Sequence, residues 1–425
     1  MTITADSAAD SAPDSAPGAA PGADATVSDF EARARAWLEA NVAKLGERPR
    51  VRGDDLVAYE RELQAKIYDA GFGALTQPKE YGGQGLGEAE RQAWERVSAG
   101  YAVPRMTYSV SHGMCGPIIN LLGTHEQKAK YLPRLWRGDD LWCQLFSEPG
   151  AGSDVAGLRT KAEKVEGGWR ITGQKVWTTN AQYCERGVII ARTNPDVPKH
   201  QGITMFLIDM KAEGVEVRPL RVATGEQPFN EIFFDNVFVP DDDRLSEVDK
   251  GWDAAVAMLR FERISIGTGS TRAEGPYAYK NVLKAAQKLG RTDDPAVRAA
   301  LAELYVLDQG TSLLALRMRE EAASGIALNA RGSIAKLAGA VANRRTAELV
   351  SEILGTALVS WSGFTPVGDG LYPPITAAFA GSASSWTAGG TMEIQRGIIA
   401  ERVLGLEKDP QVDRGVPFKD IRKGA

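Results

Sequence analysis

Apolar positions near the start of the chain recur at the spacing of one face of a helix. They are Phe30, Ala34, Trp37 and Leu38. Ser28 precedes this stripe and Glu31 follows it by three residues, which is typical of a helix N-cap with a capping box. The pattern predicts a mainly helical domain over residues 28–142. Residues 1–27 are rich in Ala, Pro, Gly, Ser and Asp, and we expect a disordered tail there because they cannot bury enough apolar surface to offset chain entropy.

From about residue 143 the apolar residues form short runs of strand length. These runs lie at 169–177, 203–209 and 231–240. The third consists of two apolar bursts divided by Asp235-Asn236, which is a turn signal. Several such runs without a long helix predict a β-sandwich or barrel-like domain over residues 143–250.

Helical periodicity returns after Gly251. One apolar stripe consists of Val297, Leu301, Leu304 and Tyr305, and a second of Ile334, Leu337, Ala338 and Val341. Such stripes predict a helical bundle over residues 251–407. Residues 408–425 are charged and contain proline, so we expect a C-terminal tail extended over the surface. The order helical, β, helical indicates an α+β protein.

Composition narrows the classes of function. The net charge of −5 over 425 residues argues against nucleic-acid binding, which needs a basic patch. No run of 18 apolar residues predicts a membrane span, and the N-terminus lacks the features of a secretory signal, so the cytoplasm is the expected location. The three cysteines and three histidines lack the spacing of a metal site or a disulfide framework, so neither is expected.

Two short strings are the strongest candidates for chemistry. Ser-Glu-Pro-Gly-Ala-Gly-Ser-Asp stands at 147–154, and Trp-Thr-Thr-Asn follows at 177–180. The glycines allow backbone N–H groups to approach a polar ligand closely. The string is equally consistent with a tight connection between a helix and a strand, and Trp177 with a core residue. Residues alone leave both interpretations open.

These strings, together with Gly-Thr-Met-Glu-Ile-Gln-Arg at 390–396, resemble acyl-CoA dehydrogenases over residues 28–407. The resemblance implies an N-terminal helical domain, a central β-barrel or sandwich and a C-terminal four-helix bundle. It also implies FAD as cofactor and α,β-dehydrogenation of an acyl thioester carried by coenzyme A or an acyl carrier protein. By position, the residues expected to contact FAD are Ser147, Ser153, Trp177, Thr179, Thr391 and Glu393.

The resemblance breaks at the catalytic base. Where the family usually has a glutamate this chain has Gly389, whose backbone N–H is still implied to polarise the thioester carbonyl. Isovaleryl-CoA and long-chain members carry the base on an earlier helix as Glu-Arg, and Glu262-Arg263 occupy the matching place. The resemblance therefore implies Glu262 as base and Arg263 as a substrate-binding residue. The alternative is a solvated salt-bridge cluster with Arg260.

Two further family strings are missing, at 279–287 and 352–356, and both normally help a neighbouring subunit hold the adenine half of FAD. The pattern resembles alpha-type subunits of bacterial heterotetrameric dehydrogenases that act on steroid side chains. We expect a homo-oligomer or a heterotetramer with a second, related subunit, a branched or bulky acyl group, and an electron-transfer flavoprotein as electron acceptor. A flavin monooxygenase or oxidase, or a non-catalytic subunit, stays an alternative.

Overall fold

The computed structural model describes residues 23–47, 53–268, 275–324, 326, 329–359, 372–410 and 413–421. Within these ranges the order is helices, then strands, then helices, which confirms the predicted α+β class. None of the described helices combines the length and apolar character needed to cross a membrane.

The N-terminal helices are α1 (Ala23–Asn41), α2 (Gly53–Asp69), α3 (Glu88–Ser98), α4 (Gly116–Leu122) and α5 (His125–Arg137). The predicted apolar stripe of α1 meets a core, where Phe30, Ala34 and Leu38 are buried. The predicted N-cap at Ser28 is wrong, because α1 already begins at Ala23 and includes Ser28. Residues 23–27 are therefore helical, although they were expected to belong to a disordered tail, and residues 1–22 lie outside the described part.

The middle of the chain forms one seven-stranded sheet. Its strands are β1 (Trp142–Leu145), β2 (Lys161–Val165), β3 (Gly168–Thr179), β4 (Arg186–Arg192), β5 (Ile203–Asp209), β6 (Val215–Leu220) and β7 (Phe229–Pro240). The order is β1-β4-β2-β3-β7-β6, and β5 pairs with β4. The β1–β4 pair is parallel, whereas β3–β7 and β4–β5 are antiparallel. This curled sheet places the end of β1 beside β3.

The predicted turn at Asp235-Asn236 is wrong. Strand β7 runs through both residues, and Asn236 adopts a left-handed φ of 54°. The register against β3 shifts between Ile171 and Gly173, so Asn236 forms a β-bulge. The Asn236 N–H donates to Thr172 Oγ1 at 3.2 Å. Pairing with β3 therefore carries the strand through a dipeptide that, taken alone, favours a turn.

The C-terminal helices are α6 (Gly251–Thr268), α7 (Tyr279–Lys288), α8 (Pro295–Ala323), α9 (Gly332–Leu354), α10 (Tyr372–Gly381), α11 (Ser384–Thr387) and α12 (Met392–Arg402). The stripe of α8 is buried at Val297, Leu301 and Leu304. Tyr305 on α8 and Val341 on α9 are exposed, so the predicted stripes are wrong at these two positions. Periodicity locates an apolar face but does not show how far the neighbouring helices cover it.

The end of the chain does not simply extend over the surface. Residues 413–421 fold back onto the loop between β4 and β5, with a bridge between Pro198 and Pro417. Phe418 is buried there, with 7% of its surface exposed. The predicted extended tail is therefore wrong for this part, because one aromatic residue finds a buried position on the sheet domain.

Candidate active site

The 147–154 string forms a compact loop, named here the glycine loop. Glu148 and Ala151 exchange two backbone hydrogen bonds, Glu148 N–H to Ala151 O at 3.1 Å and Ala151 N–H to Glu148 O at 3.0 Å. Val176 N–H of β3 donates to Ser147 O at 2.9 Å, which attaches the loop to the sheet. Ser147 is half-buried and Ser153 is exposed. The loop therefore presents one serine at its base and one at its open side.

A buried ion pair between Glu148 and Lys175 attaches the glycine loop to the sheet. Lys175 is fully buried, and its Nζ donates to Glu148 Oε1 at 2.9 Å and to Phe146 O at 3.0 Å. The Glu148 carboxylate also accepts the backbone N–H groups of Arg159 at 2.6 Å and Thr160 at 2.9 Å. Burial alone would raise the pKa of Glu148, but these partners bring the pKa below its ordinary value.

The sequence analysis did not predict this ion pair, although the sequence contains one indication of it. Lys175 shares the core-facing side of β3 with Ile171, which is buried, so a lysine at that position needs a partner. The partner could not be named in advance, because Glu148 reaches Lys175 only through the folded loop. The pair links the loop rigidly to β3.

The 177–179 string sits on a β-bulge of β3. The register against β7 shifts between Lys175 and Thr178, and Trp177 takes a left-handed φ of 60°. This conformation turns the Trp177 indole outward, where 60% of its surface is exposed and its ring lies 6.0 Å from that of Phe229, edge to face. Thr178 is buried instead, and its Oγ1 has no hydrogen-bond partner among the described residues. The bulge thus displays an aromatic face rather than packing it into the core.

Glu262 lies on α6 and is half-buried rather than turned to bulk water. Its Oε2 accepts a long hydrogen bond of 3.4 Å from Gln144 Nε2 on β1, the strand that leads directly into the glycine loop. Lys336 on α9 interacts electrostatically with Glu262, and its Nζ donates to Ser385 O at 2.8 Å. Burial lowers the pKa of Lys336, and the Glu262 carboxylate partly offsets that effect. The side chain of Arg263 lies outside the described residues.

A π-helical segment, Ser111–Cys115, also borders this region, and sequence reasoning missed it. It packs against both α6 and β1. Ser111 exchanges hydrogen bonds with the backbone of Trp142, accepting from Trp142 N–H at 2.9 Å and donating to Trp142 O at 3.2 Å. π-Helical segments are frequent at functional sites, and this one packs between the two elements that carry Glu262 and Gln144.

The 388–391 string forms a turn between α11 and α12. Gly389 and Gly390 both adopt left-handed φ angles, of 68° and 90°, which favour glycine over any residue with a Cβ. Thr391 caps α12, where its Oγ1 accepts from Ile394 N–H at 3.3 Å. Gln395 is buried and donates from Nε2 to Gly389 O at 3.3 Å. This hydrogen bond holds the turn that carries the Gly389 N–H.

Glu393, by contrast, is strongly exposed and pairs with Arg396 at 3.4 Å on the same helix. Thr179 is half-buried at the end of β3.

Lys336 interacts with two of the elements that carry predicted site residues. Its Nζ donates to Ser385 O on α11, which precedes the Gly389 turn, and its ammonium interacts electrostatically with Glu262 on α6. The helix that leads into the Gly389 turn and the helix that carries Glu262 therefore both interact with Lys336.

Three family models match successive parts of the chain. They describe the N-terminal domain of acyl-CoA dehydrogenases at residues 25–139, the middle domain at 143–237 and the C-terminal domain at 249–404. The chain belongs to the acyl-CoA dehydrogenase family. Acyl-CoA dehydrogenases are FAD-dependent oxidoreductases, so the expected enzyme class and cofactor are confirmed at this level.

Individual relatives agree with the family models. The chain is 40% identical over 350 residues to the acyl-CoA dehydrogenase FadE34 of Mycobacterium tuberculosis, a match covering 82% of this chain and 47% of FadE34. The chain thus spans about half the length of that relative. Its fold resembles the Tcur3481-Tcur3483 steroid ACAD at 26% identity and a TM-score of 0.73, covering 91% of this chain and 98% of the other. The ChsE4-ChsE5 complex from Mycobacterium tuberculosis is similar at 26% identity and a TM-score of 0.70, covering 93% and 100%.

The acyl-CoA dehydrogenase cofactor fits the residues that the structure places at the bulge and the loop. A flat ring with a polar edge suits the outward Trp177 indole, beside the buried Thr178 Oγ1 that lacks a partner among the described residues. A Cβ placed at Gly150 or Gly152 would meet no heavy atom within 4 Å, so the loop backbone is open to a ligand. These features fit FAD.

Proposed function

We propose that this chain catalyses the α,β-dehydrogenation of an acyl thioester, with Glu262 as the base that removes the α-proton. The observation that carries the proposal is the position of the Glu262 carboxylate, half-buried and bonded to Gln144 on the strand that enters the glycine loop. A carboxylate at this place can replace the one that Gly389 lacks. Desolvation by a bound substrate would raise the pKa of Glu262 and strengthen it as a base.

FAD, when bound, supplies the acceptor for the hydride that leaves the β-carbon. Ser147, Ser153, Trp177 and Thr179 are the residues of the sheet domain that we propose to hold it, with Thr391 and Glu393 from α12. The Gly389 N–H is proposed to donate to the thioester carbonyl, and the Gln395 hydrogen bond to Gly389 O supports this by holding the turn. Arg263 stays a proposed substrate-binding residue on the sequence alone.

A bulky or branched acyl group is the proposed substrate. Gly389 carries no side chain, and its left-handed φ of 68° disfavours one. With the base on α6 instead, the space beside the reacting carbons is left to the substrate. The likeness to a steroid ACAD supports a polycyclic acyl group in particular.

The carrier is proposed to be phosphorylated, as both coenzyme A and the prosthetic group of an acyl carrier protein are. A cavity of about 530 Å³ is lined by Lys199, His200, Lys408 and Arg414, with Asp413 as its one acidic lining residue among those described. Trp252 adds an aromatic wall, since its ring lies 4.8 Å from that of His200. Lys408 and Arg414 near this aromatic wall suit a phosphate-bearing ligand. Lys199 is already paired with Asp154 and Asp413, and burial lowers the pKa of His200.

A heteromer with a second, related subunit is proposed as the working assembly, with an electron-transfer flavoprotein as electron acceptor. The similarity to the ChsE4-ChsE5 complex supports a two-subunit assembly. Exposed apolar side chains follow one face of α8, namely Tyr305, Val306, Leu313 and Leu316. Such a face is typical of a surface that another protein covers. The sequences at 279–287 and 352–356 lack the family strings for the adenine half of FAD, which a partner would have to compensate.

The test is the Glu262→Gln variant, which keeps the shape of the side chain but removes its basicity. Reduction of bound flavin by a panel of straight-chain, branched and steroid-like acyl-CoA esters is followed by its absorbance. We expect a loss of about 10²–10⁴-fold in the rate with FAD content unchanged. Asp253→Asn, an exposed carboxylate on the same helix, is the matched control and should keep full activity.

An unchanged rate in Glu262→Gln would refute Glu262 as base. It would place the base on another residue or favour the second candidate, a non-catalytic subunit of a heteromeric dehydrogenase. Gly389 and the missing adenine-site strings are the observations that favour this candidate. Faster reduction by straight-chain esters than by any branched or ring-bearing ester would refute the proposed substrate class alone.

A further inference from the structure

Residues 413–421 contact the sheet domain on the side where the glycine loop ends. The N–H groups of Phe418 and Lys419 donate to Val197 O and Pro195 O, each at 2.9 Å. Both acceptors belong to the loop between β4 and β5. The segment therefore adds a short backbone pairing to the sheet domain, although it lies far from that domain in sequence.

One connection from this segment to the glycine loop is ionic. Lys199 lies between two carboxylates, and its Nζ contacts Asp154 Oδ2 at 2.8 Å and Asp413 Oδ2 at 2.5 Å. Only 14% of the Lys199 side chain is exposed, so these contacts are less screened than those of a surface pair. Asp154 follows Ser153 directly. Asp413 thus holds the lysine that in turn holds the end of the loop.

A second connection passes through Phe418. The Arg192 guanidinium carbon lies 3.9 Å from the centroid of the Phe418 ring, and that of Arg159 lies 5.3 Å away. Arg192 is buried and donates to Ala156 O at 2.6 Å and to Lys199 O at 2.7 Å. Ala156 lies two residues beyond the glycine loop. The aromatic ring covers the charged group that fixes the backbone at this point.

We propose that residues 413–421 act as a clamp that holds the glycine loop in its FAD-binding conformation, with Asp413 and Phe418 as positioning residues. This inference rests on the proposed role of the loop in FAD binding. Without the clamp, Arg192 would lose its aromatic cover and Lys199 one of its two carboxylates. The backbone from 154 to 158 would then sample more conformations, and FAD would bind more weakly because the loop must be ordered first.

The test compares Phe418→Ala and Asp413→Asn with two controls. Phe418→Tyr keeps the ring over Arg192. Lys419→Ala removes an ion pair with Asp196 that is exposed on both sides and leaves the backbone bonds of the segment intact. Turnover is not the readout, because Asp413 also lines the cavity proposed for the carrier. The readouts are amide hydrogen exchange of peptides covering 147–158 before FAD is added, and the Kd for FAD from flavin fluorescence.

We expect exchange in 147–158 to be faster in both test variants and the Kd for FAD to rise about tenfold in Phe418→Ala, with both controls like the wild type. If FAD binds only in the presence of the partner subunit, the Kd is measured on that complex. Equal FAD affinity in wild type and Phe418→Ala would overturn the clamp. A wild-type chain that takes up no FAD, alone or in the complex, would instead refute the proposed function.

Discussion

At the scale of single residues, the protonation of Glu262 decides whether the proposed base can act. Gln144 donates a hydrogen bond to one oxygen of Glu262, and the Lys336 ammonium on α9 interacts with the carboxylate electrostatically. Arg260 lies on the same helix but is exposed. A nearby positive charge favours the carboxylate over the carboxylic acid, so Lys336 keeps Glu262 ready to accept a proton.

Replacing Lys336 by Met should therefore shift the pH dependence of the reaction. Without the ammonium, the carboxylate loses a nearby positive charge that favours its ionised form, so the acidic limb of kcat/KM against pH should move to higher pH. Lys336→Arg keeps the charge and should leave the limb in place. An unmoved limb in Lys336→Met would show that Lys336 only anchors Ser385 of α11.

Trp177 offers a second prediction at this scale. Because its indole is exposed, Trp177→Ala should change the free energy of unfolding little, by less than about 0.5 kcal/mol. It should weaken FAD binding about tenfold through loss of the aromatic contact. Thermal unfolding and flavin fluorescence measure the two effects, and Trp177→Phe should restore most of the affinity. A large loss of stability with unchanged affinity would contradict a cofactor role.

At the scale of elements, the glycine loop depends on β3 for its shape. The Glu148–Lys175 pair and the Val176 N–H attach the loop to the strand, and the bulge two residues later turns Trp177 outward. One strand therefore positions both strings that the sequence singled out. The two strings are therefore attached to the same strand although more than twenty residues separate them.

Breaking the buried pair should destabilise the protein far more than breaking a surface pair. Glu148→Gln leaves the Lys175 ammonium buried without a counter-charge, and we expect a loss of about 3 kcal/mol in urea unfolding. Glu163→Gln removes an exposed pair with Lys161 on the neighbouring strand and should cost less than about 0.5 kcal/mol. Equal costs in both variants would contradict the buried role.

The same pair predicts a pH dependence of stability. The pKa of Glu148 is lower in the folded state than in the unfolded chain. The stabilisation that the ionised Glu148 carboxylate gives the folded protein is therefore complete above the pKa of the unfolded chain, about 4.5. It is lost as the pH falls below that value and through the lower pKa of the folded state. Wild type should lose more stability than Glu148→Gln when the pH is lowered from about 5 to 3.

At the scale of the whole molecule, the exposed apolar face of α8 is the main sign of a partner. A charge placed in a surface that becomes buried on association is costly, so Leu313→Asp should weaken subunit assembly at least about tenfold. Gln92→Asp on α3 adds the same charge at an exposed position of the N-terminal domain, outside this face. Native mass spectrometry of the chain expressed with a candidate partner subunit measures both. Unchanged assembly in Leu313→Asp would place the interface elsewhere.

Predictions from sequence succeeded where neighbouring residues carried the information. The stripe at Phe30 and Leu38 is buried in a helix, and the run at 203–209 forms β5 with the same bounds. The predictions failed where contacts with distant parts of the chain determine the local structure. The Asp235-Asn236 dipeptide became a bulge because β3 pairs with both of its flanks.

The order of helices and strands, the family motifs and the absence of a glutamate at position 389 can be read from the chain alone, because periodicity and motif spacing are local properties. The contact of Lys175 with Glu148, the exposure of Tyr305 and the cover of Arg192 by Phe418 appear only in the folded protein. The tertiary structure also places Glu262 beside β1 rather than in bulk water. The physical reason is that burial and charge pairing depend on groups brought together from distant positions, which no local pattern specifies.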